Sequence, residues 1–336
     1  LPNTGTSGTY AYPSSIATDA QGRVSSISAG PPNPFLGNGC DGAVTLDGVA
    51  TVPWATLSGS TYTATRVPFC SSSLTVNSGV TLTLYGVVSS VGLVFPICCQ
   101  GAIVNNGTIE ANGAPGIGMV PGGDGVTSDS FGLGGGGGAG FSVASAGGNG
   151  TGNPAIAFGG SGGNGGAGGA QAGGAGGTNA SDSVNAPHDV SYKYSFQLLT
   201  LVLPYPSATA LYVNGGAGGG GGGCDSANAQ SGAGGMGGNP LLICARTITN
   251  NGVISSKGGR GADAVTNGTG VGNAGGGGGG QGGPVIIYCG TYSGTDPDVS
   301  GGAGGAGFGS MGTAGSTGGD GQVIWFCNNK TASAYQ

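Results

Sequence analysis

The sequence predicts an all-β chain in which short-strand, β-solenoid- or β-prism-like repeats carry inserted arms of extended glycine helix, with almost no α-helix. Three observations lead there. Glycine supplies 84 of 336 residues, with 17 prolines beside it, and such a chain offers few stretches that could sustain a helix. Short β-prone runs alternate apolar and polar residues at period two, separated by Asn, Ser and Gly, which is the pattern of half-buried strands and their turns. The glycine tracts keep a period of three, as in Gly159-Gly160-Ser161-Gly162-Gly163-Asn164, the repeat of a polyproline-II-type helix.

Composition removes other classes. Glycine and proline together make up about 30 % of the chain, a range usually associated with disorder. Yet only 6 % of residues are charged and 37 % are hydrophobic, whereas disorder calls for high charge and low hydrophobicity. Collagen fails because glycine does not recur at every third position throughout. Seven Lys and Arg against thirteen Asp and Glu, a formal net charge of −6, cannot build a phosphate-neutralising stripe, so no nucleic-acid partner is expected. The most apolar stretch, Tyr192 to Val213, is broken by Lys193, Pro204 and Pro206, so no membrane insertion is expected. The start lacks a signal-like pattern. Leu1 is expected to begin a processed product, a fragment or the ordered part of a longer protein.

Along the chain, residues 1–34 read as a small β module. Tyr10–Tyr12, Ile16–Thr18 and Val24–Ile27 are its short β-prone runs, Asp19–Arg23 is the turn between the last two, and Pro31-Pro32-Asn33-Pro34 is a stiff break. Residues 35–112 read as a β-repeat domain, with Ser73–Val76, a turn at Asn77-Ser78-Gly79, and Val80–Leu84. Taking the cysteines as markers, Cys99 to Ile109 aligns without gaps to Cys244 to Ile254, sharing an Asn-Asn-Gly turn. Cys289 to Val299 is a weaker third copy. Gly321 to Cys327 matches Gly283 to Cys289 and reads as a closing strand. Residues 113–327 are therefore a glycine-rich domain with interleaved strands, and 328–336 a tail.

Ordering a glycine costs on the order of 1–2 kcal/mol of backbone entropy. Ordered glycine tracts consequently need their N–H and C=O groups paired with neighbours. A bundle of parallel and antiparallel glycine helices meets that need, with the non-glycine residues facing outward or marking the edge and the tips.

These residues carry a resemblance. Thr18-Asp19-Ala20-Gln21-Gly22-Arg23-Val24 resembles the short β repeat of phage-type tail-fibre and other viral fibre proteins. Leu74–Leu82 and Asn105–Ile109 resemble the segments that precede their glycine-rich tips, and the arms resemble the polyglycine-II sandwich of tail-fibre adhesins. The resemblance implies a virion-surface, extracellular protein without enzyme activity or cofactor, acting in host attachment. Its partners would be copies of itself in a homotrimer intertwined through residues 1–34, other virion fibre or capsid proteins, and a host-surface glycan or protein. Eight cysteines depart from a phage fibre and suit a virus of a eukaryotic host better.

The chemistry is sparse. Cys40, Cys70, Cys98, Cys99, Cys224, Cys244, Cys289 and Cys327 include no CxxC pair, and the lone His188 is remote in sequence, so no metal site is expected. They are either stacked core thiols or candidate disulfides of an oxidising compartment. Cys98 and Cys99 would face opposite sides of a strand. His188-Asp189 lacks a nucleophile motif, Asp296-Pro297-Asp298 has too few oxygens for calcium and reads as a turn, and no Gly-Lys-Ser/Thr follows a glycine run. Sequons begin at Asn106, Asn149, Asn179, Asn267 and Asn329, and frequent Asn and Thr account for most. The recognition candidates are Tyr192, Tyr194 and Phe196, an aromatic concentration between glycine tracts. A buried hairpin sealing the bundle is their structural alternative. A fibre or capsid-decorating protein without a receptor, and a polysaccharide-degrading β-solenoid enzyme, are the rival functions.

Overall fold

The computed structural model describes residues 13–18, 24–29, 41–65, 69–70, 73–88, 91–94, 97–120, 137–151, 161–177, 215–267 and 272–331. Strands account for all regular structure among these residues, and no helix occurs. β1 (Pro13–Thr18) and β2 (Val24–Ala29) pair antiparallel, and the turn expected at Asp19–Arg23 lies outside the described residues. There follow β3 (Val44–Leu46), β4 (Ala55–Ser58), β5 (Thr61–Ala64), β6 (Phe69–Cys70), β7 (Ser73–Val76) and β8 (Thr81–Thr83). β9 (Tyr85–Val88) and β10 (Val91–Val94) form a hairpin, and β11 (Ile97–Asn105) and β12 (Thr108–Glu110) complete this half. Beyond it lie β13 (Ala229–Gln230), β14 (Leu241–Asn250), β15 (Val253–Ser255), β16 (Val265–Thr266), β17 (Val285–Gly294) and β18 (Val323–Thr331).

Two sheets hold the core. The first is parallel, ordered β18-β17-β14-β11-β7-β3 with β6 also on β11; the second runs β15-β12-β8-β5-β4 and is parallel except at the β4–β5 hairpin. Each repeat contributes one strand to each sheet, as in β7–β8, β11–β12 and β14–β15, and successive repeats stack in register. Ile103 lies between Leu74 and Ile248, and Ile109 between Leu82 and Ile254. These side chains are buried with Leu46, Tyr62 and Trp54 in one cluster between the sheets. The first sheet draws strands from both sides of residue 112.

The Asn-Asn-Gly turns explain why the repeats remain in step. Asn105 Nδ2 donates to Asn250 Oδ1 at 2.8 Å, and Asn250 Nδ2 donates to the Thr295 carbonyl at 2.7 Å, so a buried amide ladder crosses three repeats. Asn251 Nδ2 donates to Asn106 Oδ1 at 2.9 Å on the exposed side. Losing one buried partner would leave an amide unsatisfied at a cost of about 1–3 kcal/mol. Gly107 and Gly252 complete these turns because a Cβ on either would overlap the carbonyl of the neighbouring repeat.

One expectation needs correcting. The gap-free alignment pairs Cys99 with Cys244, but the sheet pairs Cys98 with Cys244 and Cys99 with Ala245. An irregularity between Cys99 and Ala102 absorbs one residue and restores the pairing of Asn105 with Asn250. Cys289 likewise stands opposite Ala245, not Cys244. The closing-strand match holds from Val285–Val323 through Cys289–Cys327 to Ser293–Thr331. Cys98 and Cys99 do face opposite sides, Cys99 joining the inter-sheet core and Cys98 packing with Cys244, Leu242 and Ile286 on the other face.

The glycine-rich segments leave the ends of the second-sheet strands and return to the starts of first-sheet strands, lying side by side between. Segment 215–224 shows the bonding rule. Gly216, Gly219 and Gly222 donate to Gly238, Gly235 and Gly232; Gly218, Gly221 and Cys224 donate to Thr151, Gly148 and Ser145; Gly220 and Gly223 donate to Gly163 and Gly166. Every third residue thus addresses the same neighbour, two of them antiparallel and one parallel. Segment 273–284 follows the same rule toward 217–223, 256–262 and 313–319, while accepting from 163–166, 232–238 and 302–308. Each of these two segments has six neighbours, and both are buried throughout.

Gly275–Gly280 is an unbroken glycine run for that reason, since every direction around it is occupied by backbone. Peripheral segments keep two glycines in three. Their third residue faces solvent, as do Asn164, Ala172, Ala175, Ala303 and Ala306. The polar backbone is therefore satisfied inside the array without side chains.

Candidate interaction face

The array has two ends. One joins the strands, where Gly238 and Gly283 lie just before β14 and β17. The other is a set of turns, at 117–120, 141–145, 168–171, 225–229, 265–267 and 308–312. Two of them are the same tight hairpin: Ile117 and Val120 exchange backbone hydrogen bonds around Gly118 (φ 58°), as Gly168 and Gln171 do around Gly169 (φ 59°). Positive φ makes glycine the fitting residue at both positions.

Local bonds lock the turns together. Backbone bridges run Ser145–Cys224–Ala274–Phe308 and Gly168–Gly312. Under them Cys224, Ala229, Ala264 and Ala274 form a small buried cluster flanked by Phe141 and Phe308. The Cys224 thiol lies 3.0 Å from the Ser226 carbonyl and 3.2 Å from that of Ala229. Asp225 accepts from the Asn273 N–H and from Asn273 Nδ2, both at 2.8 Å, and Asn273 Oδ1 accepts from the Met311 N–H at 2.9 Å. Asp263 accepts from the Ala306 N–H at 2.7 Å and pairs with Arg260.

These bonds set the acid response. The Asn273 N–H, with its side-chain amide, holds the Asp225 carboxyl below the usual range; the Ala306 N–H and then Arg260 do so for Asp263. A carboxylate depressed on folding adds stability above its unfolded value, near 3.9, and that stability is lost as pH falls through the folded value. Amide exchange in 225–229 and 306–312 is therefore expected to accelerate below about pH 4 while β11 and β14 stay protected. Equal acceleration in both regions would refute this coupling.

The turns present several large apolar side chains to solvent, beside the exposed polar Asn228, Thr266, Asn267 and Ser310. Ile117, Val120, Met311 and Val143 are 73, 66, 60 and 55 % exposed, and Val265 44 %. Among the described residues, only Val49 and Val253 are comparable large apolar side chains elsewhere. The sole charge on the turn residues is Asp225, engaged as above. A face with a single, engaged charge and several exposed apolar side chains, held by backbone hydrogen bonds, suits docking by contact.

The recognition residues expected from the sequence, Tyr192, Tyr194 and Phe196, lie outside the described residues, as do His188 and Cys40. Their nearest described neighbours in the chain, Gly177 and Gly215, lie toward the strand-proximal end, where Gly177 donates to Gly218 and Gly216 to Gly238. Cys98, Cys99, Cys224, Cys244, Cys289 and Cys327 are free thiols, and Cys70 stands opposite Cys99 in the sheet. Hydrogen bonding to Cys98 together with burial pushes the Cys244 thiol well above its ordinary range, and contact with Cys327 and burial do so for Cys289. Both are protonated and poorly nucleophilic at neutral pH. Asp296 pairs with Lys330 and Asp298 with Lys257, the engagement of a turn. Among the described residues no three His, Cys, Asp or Glu side chains converge as metal ligands.

The exposed apolar turn residues escape a reading of the sequence because each is a single side chain within a glycine-rich run. Gly116-Ile117-Gly118-Met119-Val120 and Gly309-Ser310-Met311-Gly312 nonetheless carry the signal: a bulky apolar residue where neither strand nor glycine period uses one. Comparison with protein-family models, with curated proteins and with solved structures finds no match for this chain.

Proposed function

We propose that this chain is a fibre or fibre-tip protein on the surface of a virus particle and attaches that particle to a host cell without acting as an enzyme. In this reading the stacked repeats are a β-solenoid-type base and the glycine segments a polyglycine-II-like bundle. The observation that carries it is the pairing of a laterally hydrogen-bonded glycine array with a set of turns at its far end that carry one charge and expose several large apolar side chains. Such an array has little freedom to deform, so it keeps the turns pre-organised and lowers the entropy cost of contact.

Copies associate in threes through residues 1–34, and several weak contacts on one particle combine by effective concentration. The contacted surface is a host glycan or protein, and Tyr192, Tyr194 and Phe196 remain its second candidate contact. The test is competition. Purified chain added before the particles should reduce their adsorption to host cells in a dose-dependent way. Undiminished adsorption at saturating chain would instead leave a structural fibre or capsid-decorating protein.

A further inference from the structure

Four cysteines of the first sheet stand as two directly opposed pairs. Cys98 of β11 lies across from Cys244 of β14, and Cys289 of β17 across from Cys327 of β18. Paired strands run about 4.7–4.9 Å apart, inside the Cα separation of roughly 4.4–6.8 Å that a disulfide spans. In each pair the side chains leave the same face of the sheet and the thiols meet, Cys244 donating to Cys98 and Cys289 to Cys327.

The two faces of the sheet fix the partners. Cys98 and Cys244 pack with Leu242 and Ile286 on one face, whereas Cys289 and Cys327 lie on the inter-sheet side. Cys244 and Cys289, although on neighbouring strands, therefore point apart. Cys99 shares the inter-sheet face, but Ala245 stands between it and Cys289. Cys70 is opposite Cys99 in the sheet, and the Cys99 thiol donates to the Ala102 carbonyl at 3.5 Å. Each thiol contact also joins unlike groups. Donation from Cys244 lowers the Cys98 thiol below its ordinary range, and donation from Cys289 does so for Cys327, with Lys330 adding to it. Since Cys244 and Cys289 stay protonated, each pair holds one better nucleophile.

We propose that Cys98–Cys244 and Cys289–Cys327 are disulfide-forming sites, each oxidised by thiol–disulfide exchange with a small-molecule disulfide of an oxidising compartment. The Cys98 or Cys327 thiolate attacks the oxidant's disulfide, releasing one reduced thiol and leaving a mixed disulfide. Cys244 or Cys289 then gives up its proton and attacks the protein sulfur of that bond, expelling the second thiol. Each protein pair loses two protons and two electrons as its sulfur–sulfur bond forms, and one oxidant disulfide becomes two thiols. The first bond fastens β11 to β14 across the whole of residues 99–243, a long loop whose closure restricts the unfolded chain strongly. The second clamps β18 onto β17. Both are independent of the attachment reading.

Peptide mapping by mass spectrometry tests it, on the full chain folded in a buffer of oxidised and reduced glutathione and then alkylated. Linked peptides should join Cys244 to the Cys98-Cys99 stretch and Cys289 to Cys327. Cys98→Ala should abolish the first link, and Cys99→Ala should leave it in place. Melting separates a lost bond from lost packing: reduction should lower the melting temperature of the unsubstituted chain by more than that of a Cys98→Ala, Cys327→Ala double variant. Recovery of Cys98, Cys244, Cys289 and Cys327 as alkylated thiols would overturn the proposal. So would Cys244 linked to Cys99 or to Cys289, or a double variant as sensitive to reduction as its parent.

Discussion

Gly279→Ala is expected to destabilise the chain by roughly 3 kcal/mol or more, at or beyond the upper end of the range usual for single substitutions. A Cβ at this position would sit inside the van der Waals shell of the Gly302 carbonyl oxygen, with Ala303 behind it. Both groups are backbone of a neighbouring segment, and Gly302 donates to Gly280 across the same contact. Relief would separate the segments and break hydrogen bonds in a region packed by backbone on every side. The direction is diagnostic. Where the native conformation tolerates a side chain, Gly→Ala stabilises by about 0.4–1 kcal/mol through the unfolded state. Ala303→Ser, on the solvent side of a peripheral segment, should stay within about 0.5 kcal/mol of the parent. Thermal or denaturant unfolding of the two variants side by side checks both. A Gly279→Ala chain as stable as its parent would contradict the lateral packing described for segment 273–284.

The second large effect concerns adsorption. Replacing Ile117, Val143 and Met311 together by lysine should weaken competition for the host surface by about tenfold or more, a loss of about 1.4 kcal/mol. The melting temperature should not change. These side chains are more than half exposed and hold nothing inside the array, so their loss removes contact area and adds charge to a face that has almost none. Tyr192→Ala with Tyr194→Ala is the companion variant. If the lysine variant competes at full strength and the tyrosine variant does not, contact lies in the aromatic segment and the turns are structural.

How much of this is legible in the sequence follows from how local each cause is. The three-residue period is local, so the extended glycine segments and their outward third residue can be read directly. Composition even encodes position, since the unbroken run Gly275–Gly280 has six backbone neighbours, whereas Gly-Gly-Ala tracts such as Gly301–Ala306 have a solvent side. The Asn-Asn-Gly turns are visible because stacked amides require the same residue at the same height in successive repeats. The match of 283–289 to 321–327 is visible because β17 and β18 pair without a slip.

Other features depend on distant partners. The irregularity between Cys99 and Ala102 makes Cys98 the neighbour of Cys244, and no local pattern marks where a strand absorbs an extra residue. That the described tracts within 111–240, 256–284 and 298–322 merge into one array is a matter of which carbonyl meets which N–H, and glycine carries no side chain to announce it. The apolar turn residues are hidden for the opposite reason. Isolated Ile, Val and Met in glycine-rich surroundings read as small core contributions until the turns are seen to project them outward.

Attachment through one end of a glycine array can be checked by immunogold electron microscopy of intact particles, with antibody raised against residues 113–327. Gold confined to the free ends of fibres is the expected result. Gold along the shafts or over the shell would contradict attachment by this chain and leave a structural protein of the particle.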